Sequence, residues 1–220
     1  MDVKNECAAL VDGKGPPDAG HPALLYAVNN DFPRKKDRKP MILAIDIGNT
    51  NMEFGVCDSQ RVVATFRLGT NRDITSDEVG LFASQFFLIQ GLDKSQIQDV
   101  VITSVVPQVM YSVTNAIKKY FNRTPLIVGE NLPFPIANLY DNPKEVGADR
   151  LVNAVAAYQK YHAPLVIVDF GTATTFDAVD ADGAYLGGAI YPGIKISMDA
   201  LFQKASKLPR VELVNPGNVI

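Results

Sequence analysis

Two short acidic glycine turns are the parts of this sequence best suited to handling phosphate. Asp46-Ile47-Gly48-Asn49-Thr50-Asn51 ends the apolar run Ile42-Leu43-Ala44-Ile45, and Asp169-Phe170-Gly171-Thr172 ends Leu165-Val166-Ile167-Val168, at a constant offset of 123 positions. Without a Cβ, Gly48 and Gly171 let backbone N–H groups come close to phosphate oxygens. Asn49, Thr50 and Thr172 add side-chain donors. Asp46 and Asp169 repel phosphate, so their role in such a site is to hold a cation, or its water shell, against a polyphosphate. Either aspartate alone could equally cap a turn; the repetition favours the cation.

A third carboxylate lies in Gly147-Ala148-Asp149-Arg150. Phosphoryl transfer asks for alignment, charge neutralisation and somewhere for the nucleophile's proton to go. Asp149 could accept that proton, and Arg150 could grip a substrate carboxylate through two parallel N–H bonds. From the residues alone a second reading of Asp149 stays open. It falls in the first turn of a helix expected from Ala148 to Lys160, where the dipole favours an acid.

The elements that must position these groups follow from periodicity. Strands are expected at 42–45, 54–57, 62–66, 100–102 and 126–128, with helices at 77–90 and from Pro107 to about Tyr120. After residue 165 the pattern restarts. A strand, a second strand, a turn at Asp180-Ala181-Asp182-Gly183, a third strand over 185–191 and a helix from Ile194 to about Ala205 repeat the opening order. Two such units in register imply two related α/β lobes, with mixed sheets flanked by helices, facing each other across a cleft.

Bulk composition excludes other classes. The chain has 220 residues and a net charge of −3, without the basic excess of a nucleic-acid binder. Two cysteines and two histidines are too few for a disulfide framework or a His-based zinc site, and a reducing, cytoplasmic setting is expected. No apolar run approaches the roughly 20 residues that span a bilayer, so no membrane partner is expected. Residues 1–40, rich in Gly, Pro and charge and ending in Pro33-Arg34-Lys35-Lys36-Asp37-Arg38-Lys39-Pro40, read as a poorly ordered N-terminal extension. The first lobe is placed at 41–147 and the second at 148–220. His162 reads as a helix-end residue and Cys57 as a small packing group.

With these motifs in order, the chain resembles the type III pantothenate kinases, in the actin-like (ribonuclease H-like) superfamily. The likeness runs from Met41 to the end and includes Tyr140-Asp141-Asn142-Pro143 and Gly187-Gly188-Ala189-Ile190-Tyr191-Pro192-Gly193. The resemblance implies ATP-dependent phosphorylation of pantothenate, the first step of coenzyme A synthesis, by a homodimer. It implies a nucleotide loop over Asp46, Ile47, Gly48, Asn49, Thr50, Asn51, Met52 and Glu53, with a further nucleotide contact at Thr172. Asp149 is implied as the catalytic base, and Tyr140, Gly147, Ala148, Asp149 and Arg150 as the pantothenate contacts. Asp169 is implied as ligand of a monovalent cation, K+ or NH4+, with Mg2+ accompanying ATP.

Two further expectations qualify this picture. The first lobe spends 87 residues, 42–128, on strands and helices, whereas the second has 56 from Leu165 onward, so its C-terminal part is expected to be incomplete. The runner-up function is a non-catalytic nucleotide-binding or transcription-accessory protein on the same fold. A sugar or acetate kinase of the superfamily is a third option, disfavoured by Gly147-Ala148-Asp149-Arg150 beside Tyr140.

Overall fold

The apolar run at 42–45 forms the middle of β1 (Met41–Ile47), whose side chains alternate between two packed faces. The structure is a computed structural model that describes residues 41–59, 61–215 and 217; the expectation for residues 1–40 lies outside the described residues. Strands β2 (Asn51–Cys57) and β3 (Val62–Gly69) continue from β1 as an antiparallel meander. β4 (Ile97–Ser104) and β5 (Leu126–Ile127) add in parallel on the other side of β1, giving the order β3-β2-β1-β4-β5. Parallel neighbours need a crossover. It is supplied by α1 (Ser76–Ile89) before β4 and α2 (Pro107–Phe121) before β5.

Local signals set the ends of these helices. Thr75 and Glu78 form a reciprocal capping box at the start of α1. Pro107 opens α2, and Asn122 ends it in the left-handed conformation, at φ 53°. Leu43, Ile45 and Ile47 on one face of β1 pack with Phe54, Val79, Phe87, Val109, Val113 and Ile117 into the main core beneath α1 and α2. The opposite face, with Ile42 and Ala44, meets a different helix, α3 (Ala148–Tyr161). His162 caps the end of α3 at φ 48°, in the left-handed region, which agrees with its reading as a helix-end residue.

The second unit repeats the meander. β6 (Leu165–Phe170), β7 (Ala173–Val179) and β8 (Tyr185–Pro192) pair antiparallel in the order β6-β7-β8, followed by α4 (Ile194–Lys204). The class is therefore mixed α/β, with parallel and antiparallel pairing and flanking helices. Among the described residues the second sheet has three strands against five in the first. Val166 and Phe170, on the outward face of β6, are 67% and 70% exposed.

α3 lies between the two sheets. Val152 and Ala156 pack against Val101 and Val128 of the first unit. Leu151 and Ala154 pack against Val179 and Tyr185 of the second, with Leu165 and Ile167 beside them. Leu151, Val152, Ala154, Val155 and Ala156 are all buried, so the helix offers apolar surface on two sides rather than one stripe. Its N-terminal turn opens toward the ends of β1 and β6, where the two acidic turns lie.

Candidate active site

A cleft of about 560 Å³ opens between the two sheets at the N-terminal end of α3, a volume suited to a small-molecule ligand. Asp46, Gly48 and Asn49 line it from the first hairpin, Asp169 and Thr172 from the second, and Asp149 from α3. Three carboxylates more than 100 positions apart at the extremes thus face one space; the sequence repeat implied a shared cleft for Asp46 and Asp169, and Asp149 joins them from α3.

The hairpins are closed by their own glycines. Gly48 N–H donates to Asn51 O at 2.9 Å, and Gly171 N–H donates to Ala173 O at 2.9 Å. These two amides are thereby occupied within the turns. The glycines shape the turns, and the donors left to face a ligand come from the tips. The tips meet: Thr50 Oγ1 and Thr172 Oγ1 are 2.8 Å apart in a hydrogen bond that joins the two units across the cleft. Gly193 lets the second tip sit where it does, because a Cβ there would run into the Gly171 and Thr172 carbonyls. Thr70 Oγ1 donates to Gly48 O at 2.7 Å and braces the first.

The other members of the expected nucleotide loop divide by strand alternation. Ile47 and Met52 are fully buried in the main core, so their side chains cannot touch a ligand. Glu53 faces β3 and pairs with Arg67 at 2.6 Å, while Asn51 closes the turn through its carbonyl. What the loop offers the cleft is Asp46, Gly48 and Asn49, with Thr50 at the rim.

Asp149 is a perturbed carboxylate within the cleft. Burial raises its pKa above the usual carboxylate range. The Arg150 backbone N–H and the Arg150 charge oppose that rise, and the charges of Asp169 and Asp177 add to it. Its Oδ1 accepts Arg150 N–H at 2.9 Å, and Gly147, which caps α3, has no Cβ to crowd that oxygen. Asp169 accepts a 3.4 Å bond from Asn153 Nδ2, one turn along α3 from Asp149.

Arg150 is held away from the position expected of it. Its Nε and Nη2 both lie 2.7 Å from Oδ1 of the buried Asp177, and Nη2 donates to Phe176 O at 2.9 Å. Tyr185 adds a third donor to the same Asp177 oxygen at 2.7 Å, and this bond, with burial, raises the Tyr185 pKa. Gly188 makes room for the arrangement, since a Cβ there would meet Phe176 O and the Arg150 guanidinium. The Gly187-Gly188 stretch in the sequence therefore has a packing cause.

Tyr140 lies in the loop alongside β8, its ring near Gly187 and 38% exposed. Tyr140, Gly147, Ala148 and Arg150 do not line the cleft itself. Sequence reasoning missed Thr103, Val105, Asn153 and Tyr191, which do line it, and Asp177 and Tyr185 behind it. Asn153, one turn along the same helix from Asp149, could have been found from helical spacing. Thr103 and Asp177 sit in strands and carry no local signal.

Among the described residues no group of three or more His, Cys, Asp or Glu is arranged to hold a metal ion alone. The cleft instead presents separate carboxylates, which are hard oxygen donors suited to a cation that shares its coordination with phosphate oxygens. No helix among the described residues is long and apolar enough to cross a membrane.

Residues 42–220 match the family model described as type III pantothenate kinase. Among solved structures, the Aquifex aeolicus PPX-GPPA enzyme is similar at 10% identity and a TM-score of 0.41, over 74% of this chain and 56% of that one. The ethanolamine utilization protein EutJ from Carboxydothermus hydrogenoformans is similar at 12% identity and a TM-score of 0.44, over 86% and 63%. YeaZ from Pseudomonas aeruginosa is similar at 12% identity and a TM-score of 0.36, over 70% and 68%. The chain spans 30% to 58% of the length of the first solved structures it resembles.

Proposed function

Because the chain belongs to the type III pantothenate kinase family, we propose that it transfers the γ-phosphoryl group of ATP to the primary hydroxyl of pantothenate, giving 4'-phosphopantothenate. The observation that carries this reading is the convergence of Asp46, Asp149 and Asp169 on one cleft flanked by two threonine-tipped hairpins. A regulator that merely binds nucleotide has no use for a half-buried carboxylate of raised pKa between them.

In this reading Asn49, Thr50 and Thr172 hold the nucleotide phosphates, so the bond between the two threonines gives way to bonds with ligand oxygens. Asp149 accepts the proton of the pantothenate hydroxyl as the P–O bond forms. Its raised pKa makes it a better base than an exposed aspartate. Asp169 would hold K+ or NH4+ and Asp46 the Mg2+–phosphate group, supplying charge neutralisation for the departing ADP.

The same reading keeps Tyr140, Gly147 and Ala148 as pantothenate contacts beside the cleft, whose walls they do not form. A carboxylate grip by Arg150 would require its guanidinium to leave Asp177, so the reading assigns Arg150 to anchoring the helix turn that carries the base. A homodimer and a cytoplasmic location belong to the same proposal.

The test is ADP release from ATP with and without pantothenate, in potassium and in sodium, for the wild type and Asp149→Asn. Pantothenate-dependent release that is faster in potassium and lost in Asp149→Asn is the expected result. Nucleotide binding without any acceptor-dependent release would instead identify a binding protein. Release with a sugar or acetate in place of pantothenate would reassign the acceptor.

A further inference from the structure

Two side-chain polar atoms among the described residues are buried with no hydrogen-bond partner, Thr103 Oγ1 and Asp177 Oδ2. Only Thr103 lines the cleft. It is 2% exposed, lies on β4 and pairs in register with Asp46 on β1, so the two side chains stand side by side on the face that looks toward α3. Asp149, Val152 and Asn153 line the cleft from that helix. The hydroxyl therefore sits in the floor between the first hairpin and the base.

An unmade hydrogen bond at a buried hydroxyl is costly, and valine would fill the same volume without that cost. Buried polar groups are otherwise satisfied throughout proteins, and an orphan calls for a partner that arrives from elsewhere. Rotation about Cα–Cβ exchanges the hydroxyl and methyl of a threonine, so the oxygen can be turned to the cleft without moving the strand. Asp46 and Asp149, as carboxylates, leave the floor short of donors where a phosphoryl group between them would need one.

We infer that Thr103 is a further ligand-contacting residue, whose hydroxyl donates to an oxygen of the terminal phosphoryl group of bound ATP. The inference deepens the kinase reading and rests on it for the identity of the ligand. It assigns Thr103 to the γ-phosphoryl group, with the hairpin threonines serving the remaining phosphates. ADP, which lacks that group, does not engage the hydroxyl.

The experiment compares the wild type, Thr103→Val and Thr103→Ser for binding of Mg–ATP and Mg–ADP by calorimetry, with a thermal melt of each apo protein. Thr103→Val is expected to melt no lower than the wild type, to bind ATP about tenfold more weakly and to bind ADP unchanged. Thr103→Ser, which keeps the oxygen, is expected to retain ATP affinity within a few-fold. Equal loss of ATP and ADP with a lowered melting temperature would make Thr103 a structural residue and overturn the inference, as would unchanged ATP affinity in Thr103→Val. A wild type that binds ATP but never phosphorylates pantothenate would sink the acceptor assignment while leaving Thr103 to be judged by the ATP-to-ADP comparison. A wild type that binds no ATP overturns both.

Discussion

Asp149 experiences opposing influences, burial and two neighbouring carboxylates against one arginine, and its acidity and its stability effect are linked. Its pKa is raised in the folded state, so the ionised form is disfavoured relative to the unfolded chain. Well below the ordinary aspartate value both states are protonated and nothing is lost; as pH rises through the folded value the native state loses stability. Asp149→Asn should therefore melt no lower than the wild type at neutral pH, while turnover falls by about 10²- to 10⁴-fold. The acid limb of kcat/KM against pH should lie above the range of an exposed aspartate; a limb at or below that range would contradict Asp149 as the base. Asp177→Ala tests the neighbouring pair. It leaves the Arg150 guanidinium and the Tyr185 hydroxyl without their shared acceptor, and should cost about 3–5 kcal/mol by denaturant unfolding. Asp46 and Asp169 could be read from the sequence as a facing pair because each ends a strand of the repeat, whereas Asp149 was singled out by the family resemblance, since its place in a helix's first turn had a structural reading of its own. The Asp177–Arg150 pair was not, since a buried acid inside β7 looks like any outward-facing strand residue until the third dimension pairs it.

At the level of elements, α3 decides where Asp149 points. Leu151 is 4% exposed and faces the second sheet, so Leu151→Ala should cost about 2–5 kcal/mol through lost burial and the cavity left behind. Gly188→Ala in β8 would press on both Phe176 O and Arg150. It should lower the melting temperature and activity together, and a fully active, equally stable Gly188→Ala would show that this contact does not matter. Strand and helix positions were readable from the sequence because unbroken apolar runs mark β1 and β6, apolar residues recur at helical spacing in α1, and Pro107 opens α2. The double burial of α3 was not readable. Leu151, Val152, Ala154, Val155 and Ala156 show an apolar cluster, but a pattern on one helix cannot say that two different sheets cover it. The hairpin closures were hidden for a similar reason: a glycine in a turn signals conformational freedom, and only coordinates show that its N–H is already spent.

Taken as a whole, the molecule holds its cleft between two sheets of unequal size that touch directly at their hairpin tips through Thr50 and Thr172. A nucleotide seated there contacts both halves and should stabilise them as one. With Mg–ATP at about 100 times its Kd, the unfolding free energy should rise by about 2.7 kcal/mol in a single transition. Separate melting of two parts, with only one shifted by ligand, would indicate that the halves are uncoupled. The duplicated architecture could be read in advance because Asp46-Ile47-Gly48 and Asp169-Phe170-Gly171 repeat in register, whereas the touching tips could not, since Thr50 and Thr172 are not equivalent positions in that repeat. The placement of α3 has a practical corollary for anyone engineering this chain. The helix that bears Asp149 is gripped from two sides, so distance from the cleft is a poor guide to tolerance: a methyl group trimmed from Val128 or Val179, neither of which lines the cleft, should loosen the rod on which that carboxylate is mounted.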